Sequence, residues 1–245
     1  ECNPSRTDVL ERLAKLLART GDTLAAIEIV DQLLALEPER TDILTEKARL
    51  LILADKCDEA RQYADRALAQ EPGNYLALFV RGLALFGLAL YKEALAAFDA
   101  CMSSGDGKLA AAWKGKTLNK LNRHTEAAEV LGKLVEQGDE DISVLRALSE
   151  SLIYSGKPDD AAQLLLKLVA QYPEAAEYVE LLSQALEKSG RISDALQHLD
   201  TYLAANPRDT SILGCAARLL RQAGRAAESA TYYERLAELE PGNLS

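Results

Sequence analysis

Cysteine and histidine are the residues of this sequence with the greatest scope for catalysis or metal binding. The four cysteines and two histidines are Cys2, Cys57, Cys101, Cys215, His124 and His198. The cysteines form no CxxC pair and neither histidine lies near a cysteine in sequence, so the spacing does not support a metal site or a disulfide framework. We expect Cys57 and Cys101 to act as small hydrophobic residues, and we expect no metal and no cofactor.

Two further patterns could carry chemistry, and each has a simpler interpretation. Asp194 and His198 are four residues apart, so on a helix they share one face, and a surface contact between them is far more common than a general base. The segment Gly105-Asp106-Gly107 lacks the Lys-Ser/Thr that follows the glycines of a phosphate-binding loop. We therefore predict that the chain is not an enzyme.

The composition is that of a globular protein with an acidic surface. Of 245 residues, 48% are hydrophobic, and 28 Lys and Arg stand against 38 Asp and Glu, a net charge of −10. This sign disfavours nucleic acid and anionic membranes as partners. The most apolar run, 75–91, is shorter than the ~20 residues of a membrane-spanning helix, so we expect no membrane insertion. We expect a soluble protein. The cytoplasm is slightly favoured as its compartment, and the periplasm is the alternative.

A repeat of about 34 residues organises the chain. Small residues recur at intervals of 34, 34, 33, 34, 34 and 34, at Ala26, Ala60, Ala94, Ala127, Ala161, Ala195 and Ser229. Twelve residues after each lies a second column, composed of Pro38, Pro72, Asp106, Asp139, Pro173, Pro207 and Pro241. Proline has no amide hydrogen and is favoured just beyond a helix end, so this column predicts where a helix stops.

Other columns predict two helices in each repeat. The first helix carries a leucine column, Leu17, Leu51, Leu85, Leu118, Leu152, Leu186 and Leu220, and a small-residue column, Ala14, Ala48, Gly82, Gly115, Ser149, Ser183 and Ala217. Its stop is marked by Gly21, Asn122, Gly156, Gly190 and Gly224. The second helix is expected to bury Val30, Ala64, Phe98, Leu131, Leu165, Leu199 and Tyr233. The two small-residue columns allow paired helices to approach closely.

These columns resemble the tetratricopeptide repeat, a helix-turn-helix unit of 34 residues. The resemblance implies an all-α fold, a right-handed solenoid (superhelix) of seven such repeats. After a lead-in, 1–6, the expected repeats are about 7–40, 41–74, 75–107, 108–141, 142–175, 176–209 and 210–243, followed by 244–245, an end expected to be truncated. Leucine replaces the aromatic residues that the family often has, and the junctions around the fourth repeat, with its one-residue deletion, are the least regular.

Two features bear on alternatives. Pentatricopeptide repeats have a similar length and bind RNA, but the sequence pI of about 4.9 disfavours them. The chain starts with Glu1 and ends at a Glu-Pro-Gly-Asn segment, 240–243, that elsewhere precedes a new helix. We expect either a segment of a longer protein or a terminal face that docks onto another copy.

The resemblance also implies that a protein or peptide ligand binds a concave surface lined by the first helices. In the third repeat the expected face is apolar throughout, which favours an apolar or amphipathic helical ligand. The alternative is that the curvature of the solenoid hides much of this face between adjacent first helices, so that Leu83 and Phe86 are core. The candidate groove residues are Arg49, Ile52, Leu76, Phe79, Leu83, Phe86, Leu109, Ala112, Lys116, Asn119 and Arg146. Arg49, Lys116 and Arg146 are expected to contact acidic groups of the ligand.

The sequence thus favours a protein–protein interaction scaffold. One alternative is a docking or regulatory arm of a larger enzyme, with catalysis in sequence outside this chain. Another is a structural protein that self-associates through its terminal repeats. His124 is expected in the turn between the helices of the fourth repeat, and Trp113, the only tryptophan, beside the groove.

Overall fold

The computed structural model describes residues 6–105 and 107–239, and this part of the chain is entirely helical apart from its turns. The predicted all-α fold of seven helix-turn-helix repeats is confirmed by fourteen helices in these residues. They are α1 Arg6–Thr20, α2 Thr23–Leu36, α3 Thr41–Leu53, α4 Cys57–Gln70, α5 Tyr75–Gly87, α6 Tyr91–Ser104, α7 Lys108–Lys120, α8 His124–Glu136, α9 Ile142–Tyr154, α10 Pro158–Gln171, α11 Ala176–Lys188, α12 Ile192–Ala205, α13 Thr210–Gln222 and α14 Ala226–Leu239.

Several predicted features lie outside the described residues. They are most of the lead-in with Cys2, Asp106 in the deletion loop, and 240–245, which include Pro241 and the C-terminal end.

The chain divides into two compact units, Glu1–Arg123 and His124–Ser245. We call them the N-terminal unit, with α1–α7, and the C-terminal unit, with α8–α14. Within each unit every helix packs against the next one along the chain. The division falls within the fourth repeat, where the sequence is least regular. His124, predicted in the turn, is instead the first residue of α8, because the turn closes one residue earlier, where Arg123 N donates to Leu118 O.

The turn within each repeat has one backbone geometry. Its central residue has a positive φ at every repeat, at Gly21, Asp55, Ala89, Asn122, Gly156, Gly190 and Gly224. The predicted glycine and asparagine stops are therefore confirmed, while Asp55 and Ala89 were not foreseen. The next residue donates its N–H to the carbonyl of the leucine column, as Asp22 does to Leu17 and Arg191 to Leu186. This bond satisfies a carbonyl that the helix end would otherwise leave without a partner.

The two small-residue columns are buried at every repeat. The closest approach is at Gly82 of α5, where a Cβ would lie 2.5 Å from Cε1 of Phe98 on α6. Phe98 is fully buried at this contact. The predicted second-helix column is likewise buried, except for Tyr233. Tyr233 is exposed because α14 packs mainly against α13 and its other contact with a described helix is the hydrogen bond from Tyr232 to Asp200 of α12, so the burial predicted for Tyr233 is wrong.

Ion pairs link consecutive repeats of the N-terminal unit. A lysine or arginine on a first helix binds an aspartate on the preceding second helix, with N–O distances of 2.7 Å for Lys47–Asp31, 2.6 Å for Arg81–Asp65 and 2.6 Å for Lys114–Asp99. The equivalent first-helix positions of the C-terminal unit hold Leu148, Leu182 and Ala216, which are buried. The interface between repeats therefore contains an ion pair in the N-terminal unit, whereas the equivalent first-helix position of the C-terminal unit is apolar.

Replacing Gly82 with alanine tests the close approach. We expect Gly82→Ala to lower the free energy of unfolding by about 1–3 kcal/mol, because the new methyl group would overlap the Phe98 ring. Gly132 is the matched control: it lies inside α8, and no atom lies within 4 Å of the place that a Cβ would occupy there. Gly132→Ala should instead stabilise by ~0.5–1 kcal/mol, since alanine favours helix. Urea unfolding followed by circular dichroism measures both, and equal effects would contradict the packing.

Candidate functional site

An apolar groove opens on the N-terminal unit between α3, α5 and α7. It encloses a cavity of about 280 Å³. Its lining residues are Asp42, Thr45, Glu46, Arg49, Asn74, Tyr75, Leu76, Phe79, Val80, Leu83 and Leu109. We call the surface formed by these residues the groove. It is large enough for a few side chains of a peptide and lacks the depth of an enclosed small-molecule pocket.

The mouth of the groove carries two exposed leucines. Leu76 is 60% exposed and Leu109 is 62% exposed, and each is the second residue of its helix. The other repeats have Asp8, Asp42, Ser143, Glu177 or Ser211 at this position. Acidic residues are favoured in the first turn of a helix, whereas leucine gains nothing there. The two leucines therefore have no evident role in the stability of α5 or α7.

The start of α5 is fixed by a side-chain cap. Asn74 accepts a hydrogen bond from the N–H of Ala77 at 3.0 Å, and its own amide donates to Glu71 at 2.9 Å. These bonds hold the first turn of α5 and so set the direction in which Leu76 leaves the helix.

Aromatic rings form the floor beneath the groove. Phe79 lies 6.0 Å from Phe98 between ring centroids, and Phe86 lies 5.2 Å from Trp113 in an edge-to-face arrangement. Tyr75 stacks on Phe79 at 6.5 Å. Phe86 and Trp113 belong to the core cluster of α5, α6 and α7 rather than to the groove lining. The apolar face of α5 is thus shared between core and groove.

The charged edge of the groove is held by internal ion pairs. Arg49 donates to both carboxylate oxygens of Glu46, at 2.8 and 2.6 Å, and this bonding raises the pKa of the Arg49 guanidinium. Asp42 accepts two bonds of 2.8 Å from Arg40. On α7, Lys116 Nζ lies 4.7 Å from the centroid of the Trp113 ring. Arg49 therefore faces the groove with its charge already shared with Glu46.

The predicted groove residues divide into three groups. Five of them line the groove: Arg49, Leu76, Phe79, Leu83 and Leu109. Ile52, Phe86 and Lys116 are half-buried beside it and are not part of its lining.

The third group is not part of the groove lining. Ala112 and Asn119 are 7% and 6% exposed, so both are packed positions of α7 that leave a ligand little surface to contact. Arg146 belongs to the C-terminal unit, where it lies 3.8 Å from Glu177.

Sequence reasoning missed part of the lining. The lining residues outside the predicted set are Asp42, Thr45, Glu46, Asn74, Tyr75 and Val80. A single row of positions at i, i+3 and i+7 describes a line along the helix, whereas a cavity wall is wider than one row. Including the direct neighbours of each predicted residue would have found Tyr75 and Val80.

The equivalent face of the C-terminal unit is closed by its own polar contacts. Arg218 of α13 binds Glu187 of α11 at 2.7 Å, and Ser211 hydrogen-bonds to Glu180. Burial raises the pKa of Glu180, with a smaller contribution from the charge of Asp209. The acidic residues Glu177, Glu180 and Glu187 of α11 therefore have partners on α9 and α13, whereas α5 of the N-terminal unit is apolar.

The side chains that could have taken part in catalysis have the following surroundings. Burial raises the pKa of the thiols of Cys57, Cys101 and Cys215, which lowers their reactivity near neutral pH. Asp194 pairs with Arg191, with its carboxylate 2.8 Å from Arg191 Nε. The ring of His124 stacks on Tyr154 at 4.9 Å.

Two kinds of site are absent from the described ranges. Within 6–105 and 107–239, no group of three or more His, Cys, Asp or Glu side chains could hold a metal ion. Across the same ranges, no helix has both the length and the apolar character to cross a bilayer.

A chain of paired helices with small-residue contacts and left-handed turns is an α-helical repeat protein. Models of the tetratricopeptide repeat match residues 17–81, 146–210 and 183–243, together more than half of the sequence. The chain belongs to the tetratricopeptide repeat family. No curated protein sequence matches it.

Solved structures show the same fold at low sequence identity. A tetratricopeptide repeat protein from Parabacteroides merdae has a TM-score of 0.69 and 15% identity, covering 97% of this chain and 94% of its own. The C-terminal part of a repeat protein from Cytophaga hutchinsonii has a TM-score of 0.73 and 15% identity, with 95% and 96% covered. PilW, a type IV pilus biogenesis factor, has a TM-score of 0.73 and 18% identity, and the match covers 84% of this chain and 96% of PilW.

Two double variants should separate the groove mouth from the core. Leu76→Asp with Leu109→Asp should lower the free energy of unfolding by no more than about 0.5 kcal/mol, because both side chains are exposed and a carboxylate is favourable at a helix start. Phe79→Glu with Phe86→Glu should cost at least about 2 kcal/mol, because both rings pack into the α5–α7 cluster. Urea unfolding followed by Trp113 fluorescence measures both, and a large loss in the leucine variant would show that the leucines are structural.

Proposed function

We propose that the chain is a non-catalytic protein-binding scaffold whose N-terminal unit holds a peptide or helix in the groove between α3, α5 and α7. The observation that carries this proposal is the pair of exposed leucines, Leu76 and Leu109, beside an apolar cavity. Burying an exposed leucine stabilises a complex by roughly 1.5–3 kcal/mol. Two such side chains, with Phe79 and Leu83 below them, form a compact apolar contact for a ligand.

The chemistry of the lining favours an amphipathic ligand. Apolar side chains of the ligand would enter between Leu76 and Leu109, while its polar side would face the charged edge formed by Glu46 and Arg49. Exposed apolar residues rimmed by charge are typical of protein interaction sites on soluble proteins. Amphipathic helices bind such grooves through apolar residues at i, i+3, i+4 and i+7.

The family supports the coarser part of this proposal. Tetratricopeptide repeat proteins are in general interaction scaffolds without catalytic groups of their own. The depressed reactivity of the three described cysteines and the Arg191 partner of Asp194 agree with a non-catalytic role for this chain.

A peptide-display selection tests the groove directly. Peptides enriched on the wild-type chain should be rich in Leu, Phe or Trp, and at least tenfold fewer should be recovered on the Leu76→Asp, Leu109→Asp variant. The matched control is Leu24→Asp: Leu24 is also the second residue of its helix and is 66% exposed, but it does not line the groove. Recovery on this control should equal that on wild type.

Two results would contradict the proposal. Enriched peptides that bind the double leucine variant as well as wild type would place the binding site elsewhere. A selection with no enrichment on the wild-type chain would show that the groove does not recognise peptides.

A second candidate function is self-association through terminal repeats. Val9 and Leu16 of α1 are exposed, whereas the equivalent Ile43 and Leu50 of α3 are buried in a cluster with residues of α2. Tyr233 of α14, at the position equivalent to Val30 of α2, is also exposed. A single copy therefore exposes two surfaces, one on α1 and one on α14, of the kinds that pack against each other between neighbouring repeats inside the chain. We infer head-to-tail contact between copies, in which the α14 face of one copy meets the α1 face of the next.

Light scattering over a concentration series checks this second candidate. The mean mass should rise with concentration for the wild-type chain and stay at the monomer value for Val9→Lys with Leu16→Lys. Leu53→Lys, at another exposed leucine, should behave as wild type. A wild-type mass that stays constant would rule out self-association at those concentrations.

A further inference from the structure

A second cavity lies beside the groove on the N-terminal unit, between α1 and α3. Its volume is about 210 Å³, and we call it the second cavity. Its floor consists of four apolar side chains, each no more than 4% exposed: Ala14, Val30, Leu33 and Ile43. Its rim carries charges of both signs, on Glu11, Lys15, Asp42 and Glu46. Because the rim is mixed in charge, the cavity offers a ligand chiefly the apolar contact of its floor.

The second cavity and the groove are the same feature in successive repeats. Glu11, Lys15, Asp42 and Glu46 correspond, one repeat later, to the groove-lining residues Thr45, Arg49, Leu76 and Val80. At the next step Trp113 holds the place of Val80. The ring of Trp113 packs on Phe86 and Phe98, at centroid distances of 5.2 and 6.4 Å. The two cavities are therefore consecutive, and the place that follows them is filled by packed rings.

The wall between the two cavities is held by ion pairs. Asp42 and Glu46 line both cavities. Asp42 accepts two hydrogen bonds of 2.8 Å from Arg40, and Arg40 also lies 2.8 Å from Glu11 of α1. Glu46 accepts bonds of 2.8 and 2.6 Å from Arg49. These bonds tie α1 to α3 and hold the side chains that separate the cavities, so a ligand that enters both meets two places of fixed separation.

We infer that the ligand is a helix that crosses α3 and inserts two apolar side chains, one into the groove and one into the second cavity. We call these side chains the anchors. This inference rests on the proposed function and adds a second contact and a spacing to it. Water above an apolar floor has few hydrogen-bond partners, so its displacement by an apolar side chain is favourable.

The spacing of the anchors follows from the position of α3 between the cavities. The axes of neighbouring packed helices are about 8–10 Å apart. Residues seven apart on an α-helix share a face and lie about 10 Å apart, so anchors at i and i+7 match the two cavities. In an extended strand, residues three apart span a similar length but point to opposite faces, so only one of them could enter a cavity.

A fluorescein-labelled peptide with two leucines tests the spacing. The probe is a helix-forming peptide of Ala and Gln with Leu at i and i+7, and fluorescence anisotropy measures its binding. Replacing either Leu with Ala should weaken binding to the wild-type chain by about tenfold, because a buried apolar contact is lost. Moving the second Leu to i+5, on another face of the peptide helix, should weaken binding as much as removing it.

Variants that alter one cavity at a time show which anchor enters it. Ile43→Phe places a larger side chain on the floor of the second cavity, and the equivalent position of α11 holds the buried Tyr178, so a first helix can carry an aromatic ring there. On this variant one of the two Leu→Ala peptides should bind as well as the two-leucine peptide, because its anchor has no cavity to enter. On Leu76→Asp with Leu109→Asp, the other Leu→Ala peptide should behave in this way.

A substitution at the rim keeps the test valid if Ile43→Phe unfolds the chain. Lys15→Trp covers the mouth of the second cavity and changes an exposed side chain. It should weaken binding of the two-leucine peptide by about tenfold and abolish the effect of the same Leu→Ala change. Arg12→Trp is the matched control, since Arg12 is exposed on α1 and lines neither cavity. It should leave binding unchanged, and circular dichroism checks that each variant is helical.

The outcomes separate this inference from the proposed function. If both Leu→Ala changes keep their full effect on Lys15→Trp and on Ile43→Phe, the second cavity takes no anchor, and the inference is overturned while the groove stands. Failure of the two-leucine peptide to bind the wild-type chain also overturns the inference, and the peptide-display selection then decides on the groove separately. Binding that survives Leu76→Asp with Leu109→Asp as well as Lys15→Trp places the peptide elsewhere and overturns both.

Discussion

The close approach of paired helices is the constraint on which the rest of this structure depends. At Gly82 the Phe98 ring occupies the space where any other residue would place its Cβ. The leucine column lies in the last turn of each first helix, and its carbonyl accepts the hydrogen bond that closes the turn. A residue in left-handed geometry, four positions after the leucine, then returns the chain onto the partner helix. Each repeat thereby presents its first helix to the next at the same height, which is what allows α3, α5 and α7 to enclose a groove.

The repeat columns made most of the fold predictable. Period, helix pairs and buried positions all follow from small, leucine and proline columns, because each column has one packing role repeated along the chain. Asp55 and Ala89 were missed since their positive φ is imposed by the turn rather than by their own preference. Ion pairs such as Lys47–Asp31 were missed as well. Lys47 and Asp31 are 16 residues apart in the sequence. Neither belongs to the columns of apolar and small residues from which the fold was predicted.

The groove was predictable only in outline. The apolar excess on α5 identified the third repeat, and Leu76, Phe79 and Leu83 do line a cavity. A helical stripe cannot tell which of its residues a neighbouring helix covers, so Phe86 and Ala112 were assigned to a ligand although they pack against neighbours. Nor can a stripe show that Arg49 is bound by Glu46. The first answer depends on the spacing of α3, α5 and α7, whereas Glu46 and Arg49 are three residues apart on α3 and lie outside a single row.

The face formed by the first helices differs between the two units: its charged groups are paired in the C-terminal unit, and it is apolar and partly exposed in the N-terminal unit. In the C-terminal unit Arg218 and Glu187 bind each other across consecutive first helices, so a ligand would have to separate charges that are already satisfied. In the N-terminal unit the same face offers leucine at two helix starts where a carboxylate would favour the helix by about 0.3–1 kcal/mol. Leu76 and Leu109 offer water no hydrogen bond, and 60% and 62% of their surface remains exposed. Their exposed surface becomes favourable only when another molecule covers it, which confines the argument for binding to α3, α5 and α7.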